Sequence, residues 1–293
     1  MNDTTTVAGA MATLRTIAEL REAPRDAQAP VGLVPTMGAL HEGHLALLER
    51  ARAECATVVM SLFVNPAQFA PGEDLGSYPR SERADGALAA AAGVDFLFAP
   101  APAEIYPDGF ATSVHIAGIS DTLEGAARGA QHFDGVATVV TKLLNIVSPQ
   151  IAYFGQKDAQ QALVIKRLVR DLDMPVLIEI CPTVRAADGL ALSSRNAYLS
   201  AADRTRATAL HRALSVAAQR IEGGERDSAT ARAAALEVLK AEAIAPEYLE
   251  IADPETLAPL EIVEGPVLIA VAARFGGARL IDNVIATPGQ EPR

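Results

Sequence analysis

The sequence predicts an α/β protein, with a parallel-sheet N-terminal domain followed by a smaller α+β C-terminal domain. Three observations predict it. Short apolar runs at 31–34, 57–64, 94–98, 151–154 and 176–180 alternate with stretches of helical periodicity, and alternating strands and helices of this length pack as a parallel sheet with right-handed crossovers. The 57–64 run is rich in β-branched and apolar residues throughout, as befits a strand covered on both faces. After about residue 188 the texture changes to two Ala- and Arg-rich helices and then three strand-like segments. The boundary falls at 185–189, dividing the chain into residues 1–187 and 188–293.

Each element has its own signal. The 31–34 run ends at Pro35, and 43–55 places Leu45, Leu48 and Ala51 at helical spacing. After the 57–64 strand, a helix over 80–92 stops at Gly93, and 94–98 is a short buried strand. A helix over 135–147 leads to the 151–154 strand, and an amphipathic helix over 158–171 leads to the 176–180 strand. In the second domain, helices run through 201–221 and 226–243, and strands through 247–252, 266–273 and 279–285. The tail 287–293 is expected to fray. Internal repeats and low-complexity tracts are absent.

Composition narrows the functional classes. The chain has 293 residues, half of them hydrophobic and about a fifth charged, which is ample for a packed core. A net charge of −11 argues against a nucleic-acid-binding surface, so any phosphate site is local. Only four of the 25 Lys and Arg residues are lysines, so Lys157, in a loop after a strand, stands out. Cys55 and Cys181 cannot form a disulfide framework and fit a reducing compartment. There is no signal-peptide pattern, and the longest apolar runs, such as 267–273, are far too short to span a bilayer. The expectation is a cytoplasmic protein without a membrane partner.

In open parallel sheets ligands sit beyond the carboxyl ends of the strands, which directs attention to four loops. The first, Pro35-Thr36-Met37-Gly38-Ala39-Leu40-His41-Glu42-Gly43-His44, follows a strand and opens a helix. Gly38 allows close backbone approach, and the helix N-terminus offers N–H groups and a positive dipole end to phosphate. His41 and His44, three apart, can face one side and stabilise charge on a departing pyrophosphate. A zinc-protease motif needs histidines four apart, and a P-loop needs a Gly-Lys-Ser/Thr ending; this loop has neither. Core packing is the plain alternative for a histidine, disfavoured by two of the chain's five lying within four residues.

The second loop, Asn65-Pro66-Ala67-Gln68-Phe69, brings neutral donors and acceptors suited to hydroxyls and carboxylates. Asn-Pro is equally a turn starter. The polar stretch 73–80 beyond it reads as a lid or as a solvated loop. In the third, Phe154-Gly155-Gln156-Lys157-Asp158-Ala159-Gln160-Gln161, Gly155 permits close approach and Lys157 supplies a point charge for phosphate. Asp158 can cap the next helix or face magnesium. The fourth runs from Val184 to Asn196, where Ser193, Ser194 and Arg195 could grip a triphosphate; a helix cap with a solvated arginine is the alternative.

In order and at this chain length, these loops resemble the pantothenate synthetase family, the pantoate–β-alanine ligases of the nucleotidylyltransferase superfamily with a His-x-Gly-His motif. The matching strings are Val34 through His44, Phe63-Val64-Asn65-Pro66 with Gln68-Phe69, Tyr78-Pro79-Arg80, Phe154 through Asp158 with Gln160-Gln161, and Asp188 through Asn196. The likeness extends over about residues 12–285. It implies a Rossmann-like N-terminal domain, a smaller C-terminal domain closing over the site, and a homodimer. It also implies a two-step ligation with ATP as co-substrate and Mg2+: pantoate attacks the α-phosphate to give pantoyl adenylate and pyrophosphate, and β-alanine displaces AMP.

Carried over residue by residue, Met37, Gly38, Ala39, Leu40, His41, Glu42, Gly43 and His44 line ATP, with His44 in the proton-donor position. Gly155, Gln156, Lys157 and Asp158 also contact ATP, and Asp158 is the candidate magnesium ligand. Val184 meets adenine through its backbone, and Leu192, Ser193, Ser194 and Arg195 close over the nucleotide. His41, His44, Lys157 and Arg195 form the implied catalytic set. Gln68 and Gln161 hold pantoate, Gln68 can reach β-alanine as well, and Asn65 is a further substrate contact. The chain departs from the family at Arg128-Gly129-Ala130-Gln131-His132-Phe133, which lacks the usual Pro and is one residue longer, and at Ala159, where an aromatic is common. Two other readings remain: a different adenylate-forming enzyme with the same phosphate site, and a nucleotide-binding protein without turnover.

Overall fold

The computed structural model describes residues 11–23, 28–69, 74–76 and 81–289. Their elements run, in order, β1 (Ala12–Leu14), α1 (Ile17–Glu22), β2 (Val31–Thr36), α2 (Glu42–Glu54), β3 (Thr57–Leu62), α3 (Glu82–Ala91), β4 (Phe96–Phe98) and α4 (Pro102–Ile105). They continue with α5 (Leu123–Arg128), α6 (Ala130–Val147), β5 (Ile151–Gly155), α7 (Ala159–Asp171), β6 (Leu177–Cys181), α8 (Ala201–Ala207), α9 (Ala209–Glu222), α10 (Ser228–Ala241), β7 (Pro246–Ala252), β8 (Val267–Phe275) and β9 (Ala278–Ala286). The Tyr78-Pro79-Arg80 string, most of the 73–80 stretch and the end of the tail lie outside the described residues. No helix among the described residues is long and apolar enough to cross a membrane.

Two compact units form, interleaved along the chain. One contains the described residues up to His115 together with Asp134–Phe154 and Leu168–Cys181; the other contains Ile116–Phe133, Gly155–Arg167 and the chain from Pro182 on. The first holds the expected sheet, six strands in the order β1-β4-β3-β2-β5-β6. β1 with β4, β4 with β3, β3 with β2, and β2 with β5 all pair in parallel, and β2 and β3 stay in register from Val31↔Thr57 to Thr36↔Leu62. Strand order reverses beside β2, so the loop after β2 leaves the sheet at its topological switch point. β-Branched and apolar residues on both faces of β2 and β3 explain their burial: Leu33, Val34, Val59 and Met60 are fully enclosed. Each such side chain contributes about 1.5–3 kcal/mol when removed from water.

In the second unit, β7-β8-β9 form the expected small antiparallel sheet. Gly276-Gly277 is the two-residue turn between β8 and β9, the chemistry such hairpins require. On α9, Leu210, Leu214, Ala217 and Ile221 recur at helical spacing and pack into one core with Ala231 and Ala235 of α10 and Ile269 and Val271 of β8. Alanine at the α9–α10 contact lets the two helices approach closely.

Several elements differ from expectation. The helix expected over 201–221 is two helices, α8 and α9, meeting at Thr208, whose N–H (3.3 Å) and hydroxyl (2.8 Å) both bond back three residues to the Thr205 carbonyl. The helix expected from 135 starts at Ala130, with Gly129 separating it from α5. β1 and α1 were not foreseen. β1 is too short for a pattern, whereas α1 carries a legible signal in Thr16-Ile17-Ala18-Glu19, which forms a capping box.

Candidate active site

The first unit carries the first two loops, beginning with the turn from β2 into α2. Gly38 has φ +92° and Ala39 φ +53°, so the backbone passes twice through the left-handed region. A Cβ at Gly38 would lie 2.9 Å from Leu62 Cδ1 and 3.0 Å from Asp85 Oδ2, so only glycine fits. The turn is held by Asp85 on α3, which is 3% exposed. Its carboxylate accepts the N–H groups of Ala39 (3.1 Å) and Leu40 (2.8 Å). Sequence reasoning missed Asp85 because it looks like one more acid in a polar stretch.

The two histidines then cap α2. His41 is the N-cap residue, and its Nδ1 accepts the Gly43 N–H at 3.1 Å; His44 Nδ1 faces the His41 N–H at 3.4 Å. This is a capping box made of imidazoles, with ring centroids 4.2 Å apart. In a neutral imidazole one nitrogen accepts and the other donates. Backbone N–H groups can only donate, so both Nδ1 atoms are the acceptors and each neutral ring carries its proton on Nε2. In the neutral form the pair therefore carries two Nε2–H groups at a helix N-terminus, where anions are favoured.

Beyond β3, Asn65 is 1% exposed and Gln68 8% exposed. Asn65 Nδ2 donates to Gln68 Oε1 (3.2 Å) and to the Gly135 carbonyl (3.0 Å). Its Oδ1 accepts the Ala67 N–H (3.2 Å) and the Tyr106 hydroxyl (2.7 Å). Gln68 Nε2 lies 3.0 Å from Met37 Sδ, tying this loop to the first.

The second unit gathers the other two loops. After Gly155, a short 3₁₀ turn over Gln156–Asp158 carries Lys157 into α7. Among the described residues, a Cβ at Gly155 would meet no atom within 4 Å beyond its chain neighbours, leaving space for a ligand to approach the backbone. Asn283 of β9 holds this turn: its Nδ2 donates to the carbonyls of Gln156 and Lys157, both at 2.9 Å. The neighbouring Asp282 takes Arg185 in a two-pronged ion pair (2.6 and 2.9 Å), and Arg185 also donates to the Gly189 carbonyl at 3.1 Å. That clamps a hairpin closed by Leu192 N–H on the Val184 carbonyl (3.0 Å). Ser193 then caps a short 3₁₀ helix, Ser194–Tyr198, by accepting the Arg195 N–H at 3.3 Å. Two consecutive residues of one strand, Asp282 and Asn283, thus hold the Lys157 turn and the Val184–Arg195 segment together. A small crevice lined by Lys157, Ser193, Asn196 and Asp282 lies among them.

Gln160 and Gln161 separate. Gln160 is buried, accepts the Glu124 N–H (2.9 Å) and donates to the carbonyls of Ile119 and Thr122, both at 2.8 Å. Its amide is committed to the 119–124 segment, and Gln161, one residue further round α7, is only half-buried. Nearby, Arg279 forks onto Glu124 at 2.6 and 2.7 Å, and the Tyr248 hydroxyl donates to the same carboxylate at 2.7 Å. Burial, with the Glu124 charge beside it, holds the Tyr248 hydroxyl far above its ordinary range. Arg128, at the altered central loop, contacts His132 Nε2 at 2.9 Å. Among the described residues no three His, Cys, Asp or Glu side chains cluster to hold a metal ion, and Asp158 lies 3.5 Å from Lys157 Nζ.

Comparison with known proteins places these loops in a family. The pantoate-beta-alanine ligase family model matches residues 11–285. The pantothenate synthetase of Chloroflexus aurantiacus is 54% identical over 275 residues, covering 93% of this chain and 97% of the relative. That of Moorella thermoacetica is 53% identical, covering 94% and 98%. The crystal structure of pantothenate synthetase from Thermus thermophilus superposes with a TM-score of 0.90 at 53% identity, covering 94% of this chain and 99% of that one. A pantoate-beta-alanine ligase from Francisella tularensis, solved with β,γ ATP and β-alanine, matches with a TM-score of 0.78 at 33% identity, covering 94% and 98%. With identity above half over nearly the full length of both chains, this chain belongs to the pantoate–β-alanine ligase family.

Proposed function

We propose that the ligation proceeds here in two steps through a pantoyl adenylate. A carboxylate oxygen of pantoate bonds to the α-phosphorus of ATP as the bond to pyrophosphate breaks. The amine of β-alanine then attacks the acyl carbon, expels AMP and yields pantothenate. The observation that carries this reading is the imidazole capping box, two Nε2–H donors fixed by the backbone at the N-terminus of α2. Donors held in place before charge develops lower the barrier without reorganisation.

In this reading His41 and His44 act as hydrogen-bond donors to the phosphates, His44 foremost, and Met37 through Gly43 carry the backbone that cradles them. In the second unit, Lys157 supplies positive charge to the phosphates, with Gly155, Gln156 and Asp158 beside it. Val184 faces adenine through its backbone, and Leu192, Ser193, Ser194 and Arg195 grip the triphosphate. Gln68 and Gln161 hold pantoate. Magnesium enters with ATP, since the described side chains form no cage of their own and phosphate oxygens are its habitual ligands; Asp158 can add one carboxylate oxygen. The working form is a cytoplasmic homodimer, which light scattering tests. The mechanism is tested with pantoate labelled with 18O in its carboxylate: one labelled oxygen in the released AMP is expected, and unlabelled AMP would exclude the adenylate.

A further inference from the structure

We infer that Asn65 is a positioning residue that sets the polarity of the Gln68 carboxamide, so that Gln68 offers N–H donors to an oxygen acceptor, the hydroxyl or carboxylate of pantoate. The inference rests on the reading of Gln68 as a pantoate ligand. The two ends of a carboxamide are alike in shape, so its orientation must follow from its partners. For Asn65 the partners are decisive. The Ala67 backbone N–H can only donate and lies on Oδ1, and the Gly135 carbonyl can only accept and lies on Nδ2. The second Nδ2 hydrogen falls on Gln68 Oε1, which makes that oxygen the inward end of Gln68. Gln68 Nε2 is thereby turned toward Met37 Sδ. A thioether is a weak acceptor, so an N–H on it exchanges readily for a substrate oxygen.

Asn65 itself has nothing left to give a substrate. With the Tyr106 hydroxyl on Oδ1, both hydrogens and both lone pairs of its side chain are engaged by the protein. The surroundings hold this arrangement. A Cβ at Gly135 would come within 2.3 Å of the Ala67 carbonyl oxygen and 2.7 Å of Gln68 N, so α6 reaches the loop only because residue 135 is glycine. Tyr106 stacks edge-on against Phe110 at 5.1 Å, and Lys142 Nζ lies 4.7 Å above the Phe110 ring. Burial pushes the Tyr106 hydroxyl up to about 12, so it remains a donor at neutral pH.

The test is a double-mutant cycle, Asn65→Ala and Gln68→Ala singly and together, followed by pantoate-dependent ATP–pyrophosphate exchange with melting temperatures recorded alongside. Each single change is expected to raise the pantoate KM about tenfold or more, with the ATP KM within about twofold, and the double variant to be no worse than Gln68→Ala alone. Gln68→Glu tests polarity without touching Asn65. One carboxylate oxygen still accepts from Asn65 while the other faces the ligand, and the pantoate KM is expected to rise at least as far as in Gln68→Ala. Equal losses from Asn65→Ala in both backgrounds would show a merely structural asparagine, and a normal pantoate KM in Gln68→Glu would overturn the polarity argument even if Asn65→Ala failed to fold. Absence of pantoate-dependent exchange in the unaltered protein would instead refute the functional reading beneath it.

Discussion

Replacing Asp85 by asparagine should damage ATP use although Asp85 is expected to touch no substrate. The loop it holds is strained: Ala39 sits at φ +53°, which costs an L-residue about 1–2 kcal/mol. Opposing that strain are two N–H bonds to a buried carboxylate, at 3.1 and 2.8 Å; each bond to a charged acceptor contributes about 1.5–3 kcal/mol. Asparagine keeps the shape but retains one neutral bond, worth about 1 kcal/mol, and turns an NH2 group toward a backbone N–H, leaving a buried donor unsatisfied at about 1–3 kcal/mol. A balance that favours the native turn by a few kcal/mol falls to zero or below. The imidazole cap begins two residues after Ala39, so its donors lose their fixed positions. We expect kcat/KM for ATP to fall by about 10–10²-fold, which corresponds to about 1.4–2.8 kcal/mol. Ala39→Gly, which removes the strain, should restore part of that loss in the Asp85→Asn background and change little alone. The assay is initial-rate exchange over a range of ATP concentrations, with melting temperature as a control. Wild-type kinetics with only a lowered melting temperature, or no rescue by Ala39→Gly, would refute the reasoning.

Four further outcomes are expected. His44→Ala should slow adenylate formation by on the order of 10² or more, the usual cost of losing a preorganised donor; near-normal single-turnover rates would remove His44 from the mechanism. Asn283→Ala frees the carbonyls of Gln156 and Lys157 and should raise the ATP KM about tenfold with the pantoate KM little changed, since two neutral hydrogen bonds contribute about 1–3 kcal/mol together. Arg279→Met leaves the Glu124 carboxylate buried without its ion-pair partner and should cost about 3–5 kcal/mol of stability, read by urea unfolding; a loss under about 1 kcal/mol would contradict the buried-pair reading. His211 is held below its ordinary range by burial, and by the charge of Arg185, so the unfolded chain binds the proton first. Stability is then full above about pH 6.5 and declines as pH falls below it. His211→Phe should flatten that limb of a melting-temperature profile, and an unchanged limb would assign it to other groups.

The four loops were legible because each compresses its chemistry into a few residues at a fixed place, just after an apolar strand. Gly38, the paired histidines and Lys157 stand out from their neighbours in type, and the strand–loop–helix order says which way they face. What supports them was not legible. Asp85 acts on backbone groups 45 and 46 residues away, and in Ser81-Glu82-Arg83-Ala84-Asp85 nothing separates it from a surface acid. Asn283 acts across 126 and 127 residues and reads locally as a strand residue with poor propensity. Tyr106 lies 41 residues from Asn65. Local periodicity encodes helices and strands, whereas these partnerships arise only when distant segments meet. The same limit hid β1, whose three residues become a strand only beside β4. It also let a continuous helix be read through Thr208, where α8 and α9 meet. The commitment of Gln160 to the 119–124 segment was hidden in the same way, since it arises only where α7 meets that segment.

The central claim is that pantoate is activated by ATP before β-alanine takes part. Isotope exchange between pyrophosphate and ATP, with magnesium and without β-alanine, tests it most directly. Exchange that appears only when pantoate is added is the predicted result. ATP binding without exchange in the presence of pantoate, or exchange indifferent to pantoate, would contradict it.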